Sequence, residues 1–402
     1  MIYEVNQQKD TIPRLQQLVA HMRDQLIGLQ EGGTFEEVRR RYITTVDRLV
    51  AEGLGRRTAS RLDDRDAYWS PAAGVLEEAI RLGFVRHQPL PSARRYLETY
   101  RDKRFELTDV GQEVAELAHR DLGRFFDYLA RAVIDAHPYF KGFVLLLKEA
   151  PLICPEVSEG EIVVGRREGS GTDHWARWAA ERINRGPCGE VVGVEQVKQD
   201  MSTLVQRRFG KNPSEKPSSK AISEAMNDAF ATASVRARGL PMGATELKIL
   251  SAWGSQLRLL DQSRHVPEYQ GSTLLWIAAD INSSNGQMTA ARRGLKEHGL
   301  IVARALVAAY RSQAAMNNSS LAAPYLPIYA VRAQAAFASG VTRALVDIVL
   351  GRLASGEFAE LGVQVWLHLG RGDQPPPSEP VYRQGGSRRY QITITNRKEV
   401  TT

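Results

Sequence analysis

SPAAGVLEEAIRLGFVRHQPLPSARRYLETYRDKRFELTDVGQEVAEL, residues 70–117, is the stretch on which the reading of this chain turns. Ser70 suits an N-cap and Pro71 the first helical position, where the missing N–H costs nothing. Val75, Leu76, Ala79, Ile80 and Leu82 then recur at the spacing of one buried helical stripe. Gly83 stops that helix and Val85 opens an extended run. Arg104-Phe105-Glu106-Leu107-Thr108 returns as a second strand across a long basic connection. Asp109 with Gln112 three residues on forms a capping-box-like start for a helix carrying Val114, Leu117 and Ala118.

Upstream, Ile12, Leu15, Leu18, Val19, Met22, Leu26 and Leu29 predict a helix that breaks at Gly32-Gly33. Thr34 with Glu37 makes a capping box for the next helix, which turns Val38, Tyr42, Val46 and Leu49 inward and Arg39, Arg40, Arg41 and Arg48 outward. Downstream, Phe125, Phe126, Leu129 and Val133 mark the buried side of a helix over 121–136.

This succession resembles the winged-helix family of DNA-binding domains, above all in the closing LTDVGQEVAEL of residues 107–117. The resemblance covers about 70–118, roughly one eighth of the chain, and implies contact with double-stranded DNA. By that resemblance the helix of residues 71–83 is the recognition helix and the basic connection is the wing, which lies along phosphates. The recognition helix offers Arg81 alone against Glu77 and Glu78, so base reading is not expected. Backbone contact, or use of the fold to dock protein, stays open. Residues 92–100 have helical spacing, which departs from a short hairpin wing.

The chain of 402 residues carries a formal charge of +7, which draws it to polyanions. Of its 53 basic residues 11 are lysine, leaving 42 arginines. Arginine forks match phosphates and guanine edges, although a GC-rich genome produces the same bias. The expected nucleic-acid-binding residues are Arg39, Arg40, Arg56, Arg57, Arg86, Arg94, Arg95, Arg101, Lys103 and Arg104, with Arg207, Arg208 and Lys211 in a second basic patch. Two cysteines, Cys154 and Cys188, exclude a disulfide framework and a cysteine-based zinc cluster. The N-terminal residues lack the apolar core of a secretory signal, and no apolar run is long enough for a bilayer. A cytoplasmic location, no membrane association and no cofactor are expected.

The expected fold class is α+β and mainly helical. We expect a helical domain with the winged helix over 1–150, a helical middle region over 151–240 with a basic linker at 210–220, and a mixed α/β domain over 241–402. A short strand is expected within 157–166, helices over 194–209 and 221–238, and a helix over 245–260. Strands are expected at 272–281, 326–336, 362–369 and 388–397, making a mixed sheet of about four strands, with helices over 288–315 and 341–353. No internal repeat is evident.

Three further constellations have chemical readings. GRREGSGTDHW, 165–175, has the glycines, arginines and helix start of a phosphate cradle, but lacks the ending of a Walker loop and reads more readily as a surface turn before a helix. Asp228, Glu246 and Lys248 spell the D…ExK set of a metal-dependent nuclease, although helical spacing after Thr245 conflicts with the strand such a site needs. Trp175 and Trp178, beside Arg177 and Arg182, would stack on bases or fill a core. Histidines are scattered, so no metal site is expected. The leading expectation is a non-enzymatic DNA-binding and assembly subunit of a bacterial multi-protein complex, of the kind used in anti-phage defence or plasmid maintenance, with other protein subunits as partners. The nuclease and a structural subunit that binds only protein are the alternatives.

Overall fold

Thr34 and Glu37 close the capping box expected of them: the Thr34 N–H donates to Glu37 Oε2 at 2.7 Å, and the helix behind it starts at once. From such local starts the chain builds a structure that is α+β and mainly helical. The computed structural model describes residues 18–51, 69–89, 103–186, 192–210, 217–278, 290–317, 323–369 and 382–396; for 69, 70, 166 and 290–297 it describes the backbone alone. The chain divides into two compact units, Met1–Gly142 with Lys248–Leu257, and Phe143–Leu247 with Arg258–Thr402.

The first unit runs α1 (Leu18–Gly28), β1 (Gly33–Thr34), α2 (Phe35–Ala51), α3 (Trp69–Arg81), β2 (Val85–Pro89), β3 (Lys103–Leu107), α4 (Asp109–Arg120) and α5 (Leu122–Ala136). The three strands form an antiparallel sheet in the order β1-β3-β2, with Gly33 opposite Phe105 and Val85 opposite Leu107. Met22, Leu26, Phe35, Val38, Val75, Leu76, Phe84, Phe105 and Val114 are buried together in its interior. Each such side chain contributes about 1.5–3 kcal/mol by leaving water. The N-cap of α4 is Thr108 rather than Asp109: Thr108 Oγ1 accepts from Gly111 N at 3.0 Å and donates to Gly83 O at 2.6 Å, so one hydroxyl both caps the helix and holds the end of the α3 turn. Likewise α3 starts at Trp69, which puts Pro71 inside the first turn rather than at its first position.

The second unit begins within α6 (Pro138–Glu149) and continues with β4 (Leu152–Pro155), α7 (Glu159–Arg167), α8 (Thr172–Asn184), α9 (Val194–Phe209), α10 (Ser219–Ala237), β5 (Leu260–Ser263) and β6 (Ser272–Ile277); of α11 (Ala244–Gln256) the residues from Lys248 onward belong to the first unit. The strand expected within 157–166 is helix α7, because Ser158 and Glu161 exchange bonds as a capping box (2.6 and 3.2 Å); the strand lies just before it, in β4. An antiparallel sheet forms in the order β4-β6-β5. Then follow α12 (Ala290–Met316), β7 (Leu326–Pro327), α13 (Ile328–Ser339), α14 (Arg343–Ala354), β8 (Val363–His368), β9 (Tyr382–Gln384), β10 (Ser387–Arg389) and β11 (Gln391–Asn396).

Residues 326–336 are thus a two-residue strand followed by helix, not a strand. The run is buried on all sides, Ile328, Val331, Ala333, Ala335 and Ala336 included, and a fully buried segment has no periodicity to separate helix from strand. In place of one mixed sheet, the described C-terminal strands make an antiparallel sheet in the order β7-β11-β8 and a separate β9–β10 hairpin. Among the described residues no single helix is long and apolar enough to cross a membrane; α13 and α14 together have the length but meet at 112°.

The element order helix, two-residue strand, helix, helix, strand, strand occurs twice, at α1 to β3 and at α12 to β11 if the β9–β10 hairpin is set aside. In both cases the last strand lies between the first and second, giving the orders β1-β3-β2 and β7-β11-β8. The repeat not evident in sequence is a repeat of topology.

Two consequences are measurable. His21 is 2% exposed and lies flat on Tyr42, ring centroids 3.9 Å apart, and burial pushes its imidazole down to about 4. Unfolded His21 takes its proton near the ordinary value of 6.5, so between there and about 4 the unfolded chain binds more protons and stability falls as pH falls. The loss attributable to this ring approaches about 3 kcal/mol; a pH series of denaturant melts should show a correspondingly smaller acid loss in His21→Leu than in the parent. Gly111 packs so closely on Phe84 that an added Cβ would stand 1.9 Å from its carbonyl oxygen. Gly111→Ala should therefore lower stability by roughly 2 kcal/mol or more, despite alanine's better helix propensity, which thermal unfolding would register.

Candidate nucleic-acid interface

Strand β3 alternates. Phe105 and Leu107 are buried, so Arg104 and Glu106 must point to the other face of the ribbon. Across the register Arg86 stands opposite Glu106 and Gln88 opposite Arg104, which collects Arg86, Gln88, Arg104 and Glu106 on one outward face. Arg86 lies 3.7 Å and Arg104 3.8 Å from Glu106, with side chains 63% and 50% exposed. Both ion pairs are long and solvated, so each contributes at most about 1 kcal/mol. Arg104 also donates to Glu31 O at 3.2 Å, which holds its guanidinium along the sheet. One carboxylate shared between two exposed guanidinium groups leaves that face net positive. Lys103 is half-buried at the start of the same strand.

Helix α3 offers much less. Ala72, Ala73, Val75, Leu76, Glu78 and Ala79 are buried, and among the residues whose side chains are described only Glu77 and Arg81 are exposed. Glu78 turns inward and bonds His137, the C-cap of α5. The His137 ring stands edge-on to Trp253 at 5.2 Å, and Phe140 completes the enclosure at 6.0 Å from the same indole. The glutamate that would repel phosphates is thus spent inside the fold, and the surface of α3 is a narrow strip with one acid and one base.

On α2, Arg39 is paired with Glu36 at 2.9 Å, whereas Arg40 is exposed. Arg56, Arg57, Arg94, Arg95, Arg101 and Lys211 lie outside the described residues. In the second basic patch Arg207 is exposed, but Arg208 is paired with Glu224 at 2.6 Å and with Asp228 at 3.8 Å. Its neighbours are structural too: Arg236 meets Asp200 at 2.8 Å, and Arg238 donates to Leu146 O at 2.8 Å and Ala150 O at 3.1 Å, closing the end of α6. Glu106, which sets the charge of the ribbon face, was not singled out from sequence, although the one-residue alternation around Phe105 was its signal. Glu78 was expected on the surface of α3; its inward turn had no sequence signal, because its partner is 59 residues away.

The other constellations resolve into local structure. Glu246 sits in the first turn of α11 and accepts from Gly243 N at 3.1 Å as a helix cap; Lys248 follows on that helix, and Asp228 lies on α10. The strand that a D…ExK site requires is not present at 244–248. Among the described residues no group of three or more His, Cys, Asp or Glu is placed to hold a metal. At 165–175, Gly171 caps α8 and Asp173 occupies the first turn, bridged to Lys198 at 2.6 Å. Trp178 tilts against Phe230 at 5.8 Å and carries the Arg182 guanidinium 3.9 Å over its ring, so it is engaged inside the fold. Trp175 lines a cleft of about 530 Å³ with Met201, Val205, Phe209 and Met226. Cys154 is buried, and burial pushes its thiol up to about 12, which leaves it unreactive.

Comparison of the chain with protein-family models, with curated proteins and with solved structures finds no match.

Removing one member of a buried polar pair strands the other, at a cost of about 3–5 kcal/mol. Glu78→Ala should therefore lower the midpoint of chemical denaturation steeply, and Glu106→Ala, on the exposed ribbon, should leave it almost unchanged.

Proposed function

We propose that the first unit is a winged helix and that the chain is a non-enzymatic DNA-binding and assembly subunit, holding duplex DNA by its phosphates without reading sequence. The order helix, strand, helix, helix, strand, strand, with the last strand central, supports the first part. The outward ribbon face, where Arg86 and Arg104 share the single carboxylate of Glu106, carries the second. A guanidinium whose carboxylate partner is distant and solvated exchanges it for a phosphate at little cost, and each phosphate contact releases condensed counterions. The exposed strip of α3, with Arg81 as its one basic side chain among the described residues, argues for backbone contact over base readout.

A second reading, docking of protein alone, is favoured by the burial of α3, which leaves that helix nothing to offer a major groove. Direct measurement separates the two. In fluorescence anisotropy with a mixed-sequence duplex at low salt, Arg86→Glu/Arg104→Glu should lower affinity about tenfold or more and flatten the salt dependence by roughly two phosphate contacts. Glu106→Ala, which frees both guanidinium groups, should raise affinity. Failure of the parent chain to bind duplex at low salt would leave the protein-only reading standing, and unchanged binding in both variants would remove the ribbon as the contact. For the enzymatic alternative, plasmid incubated with magnesium should remain uncut, and nicking abolished by Glu246→Ala would reverse that reading.

A further inference from the structure

The second occurrence of the topology carries a charged feature of its own. Helices α12, α13 and α14 and the β7-β11-β8 sheet share one core, in which Leu306, Val331, Val346, Leu350, Val365 and Ile392 are buried. Between its last two strands stands the β9–β10 hairpin, closed by the two-residue turn Gly385-Gly386 with Gln384 opposite Ser387. Both glycines have positive φ, +56° and +80°, as the tightest hairpin turns require. The hairpin is anchored on one face: Tyr382 is buried and Arg389 donates to Leu367 O on β8 at 3.4 Å.

The residues that alternate to the other face are Arg383 and Arg388, directly opposite one another and both exposed. Side chains so placed have Cβ atoms about 5 Å apart, and like charges there oppose strand pairing. No acidic side chain among the described residues meets either guanidinium. This contrasts with the interior of the same unit, where Arg332 is held by Asp347 at 2.6 Å and Arg343 by Asp261 at 2.8 Å. A short hairpin that sets two uncompensated arginines side by side gains stability from an anion bridging them, and a run of phosphates offers that at every step.

We infer that the β9–β10 hairpin is a second contact of this chain with duplex nucleic acid, in which Arg383 and Arg388 hold backbone phosphates. The assignment rests on the hairpin's own charge and register and stands apart from the reading of the β2–β3 ribbon.

The test uses the full chain and a mixed-sequence duplex, titrated by anisotropy at two or more salt concentrations. Arg383→Glu/Arg388→Glu should bind about tenfold more weakly or worse, with a salt slope shallower by roughly 1.8 from two lost phosphate contacts. Arg383→Lys/Arg388→Lys should retain most of that slope. Melting temperature should stay close to that of the parent in either variant, since both side chains are exposed and each double substitution keeps a like-charged pair across the hairpin. The ribbon variant Arg86→Glu/Arg104→Glu is measured in parallel. If it loses affinity while the hairpin variant matches the parent, the hairpin inference is overturned and the ribbon reading survives; the converse leaves the hairpin as the DNA contact. Failure of the parent chain to bind duplex at low salt, or hairpin-dependent binding of polyglutamate in place of duplex, would overturn the inference as well.

Discussion

The burial of Phe105 and Leu107 in the middle strand of a three-stranded sheet governs what the first unit can present to its surroundings. Successive side chains of a strand point to opposite faces, so locking those two into the core drives Arg104 and Glu106 outward. A slip of one residue would exchange the sets and put two charges inside. The register is therefore held by the whole hydrophobic interior and not by the weak ion pairs on the surface. Gly111 against the Phe84 carbonyl and Thr108 bonded to Gly83 fix the same strand from its far end.

The arginines of this chain divide into two physical classes. Some are interior or half-interior and are satisfied there: Arg332, only 2% exposed, by Asp347; Arg343 by the bidentate carboxylate of Asp261; Arg238 by the carbonyls that end α6. Burial pushes Asp347 up to about 6 even with Arg332 against it. Others stand in water with a shared or distant counter-charge, or with none among the described residues, namely Arg86, Arg104, Arg383 and Arg388. Only the second class can exchange its partner for an external anion without stranding a buried carboxylate. An excess of basic over acidic residues thus overstates the surface available to a polyanion, and the arrangement on strands decides which part of it counts.

Legibility followed the range of the forces involved. Helix α9 occupies the expected residues 194–209, and the capping box of Thr34 with Glu37 is as written, because caps and amphipathic stripes are set by neighbours within four residues. The misreading of 326–336 has the opposite cause. Where Ile328, Val331 and Ala335 are enclosed from every side, the apolar pattern carries no period, and only α12 and α14 packing against it decide for a helix. The duplicated topology is invisible in the sequence for a related reason: the two-residue strands β1 and β7 are defined by pairing with residues 64–72 positions away, and nothing local announces them.

From the amino-acid order alone came the α+β and mainly helical class, the two helices and basic ribbon of the first unit, and the identity of Arg86, Arg104 and Lys103 as candidates. Those follow from hydrophobic period, turn residues and charge, which need no tertiary partner. Folding decided the rest: that Glu78 is spent on His137, that Arg208, Arg236 and Arg238 are structural, and that Arg383 faces Arg388. Each of these depends on which distant residue a side chain meets, and that is settled by strand register and helix packing, where the cost of an unpaired charge in a dry interior outweighs any local preference.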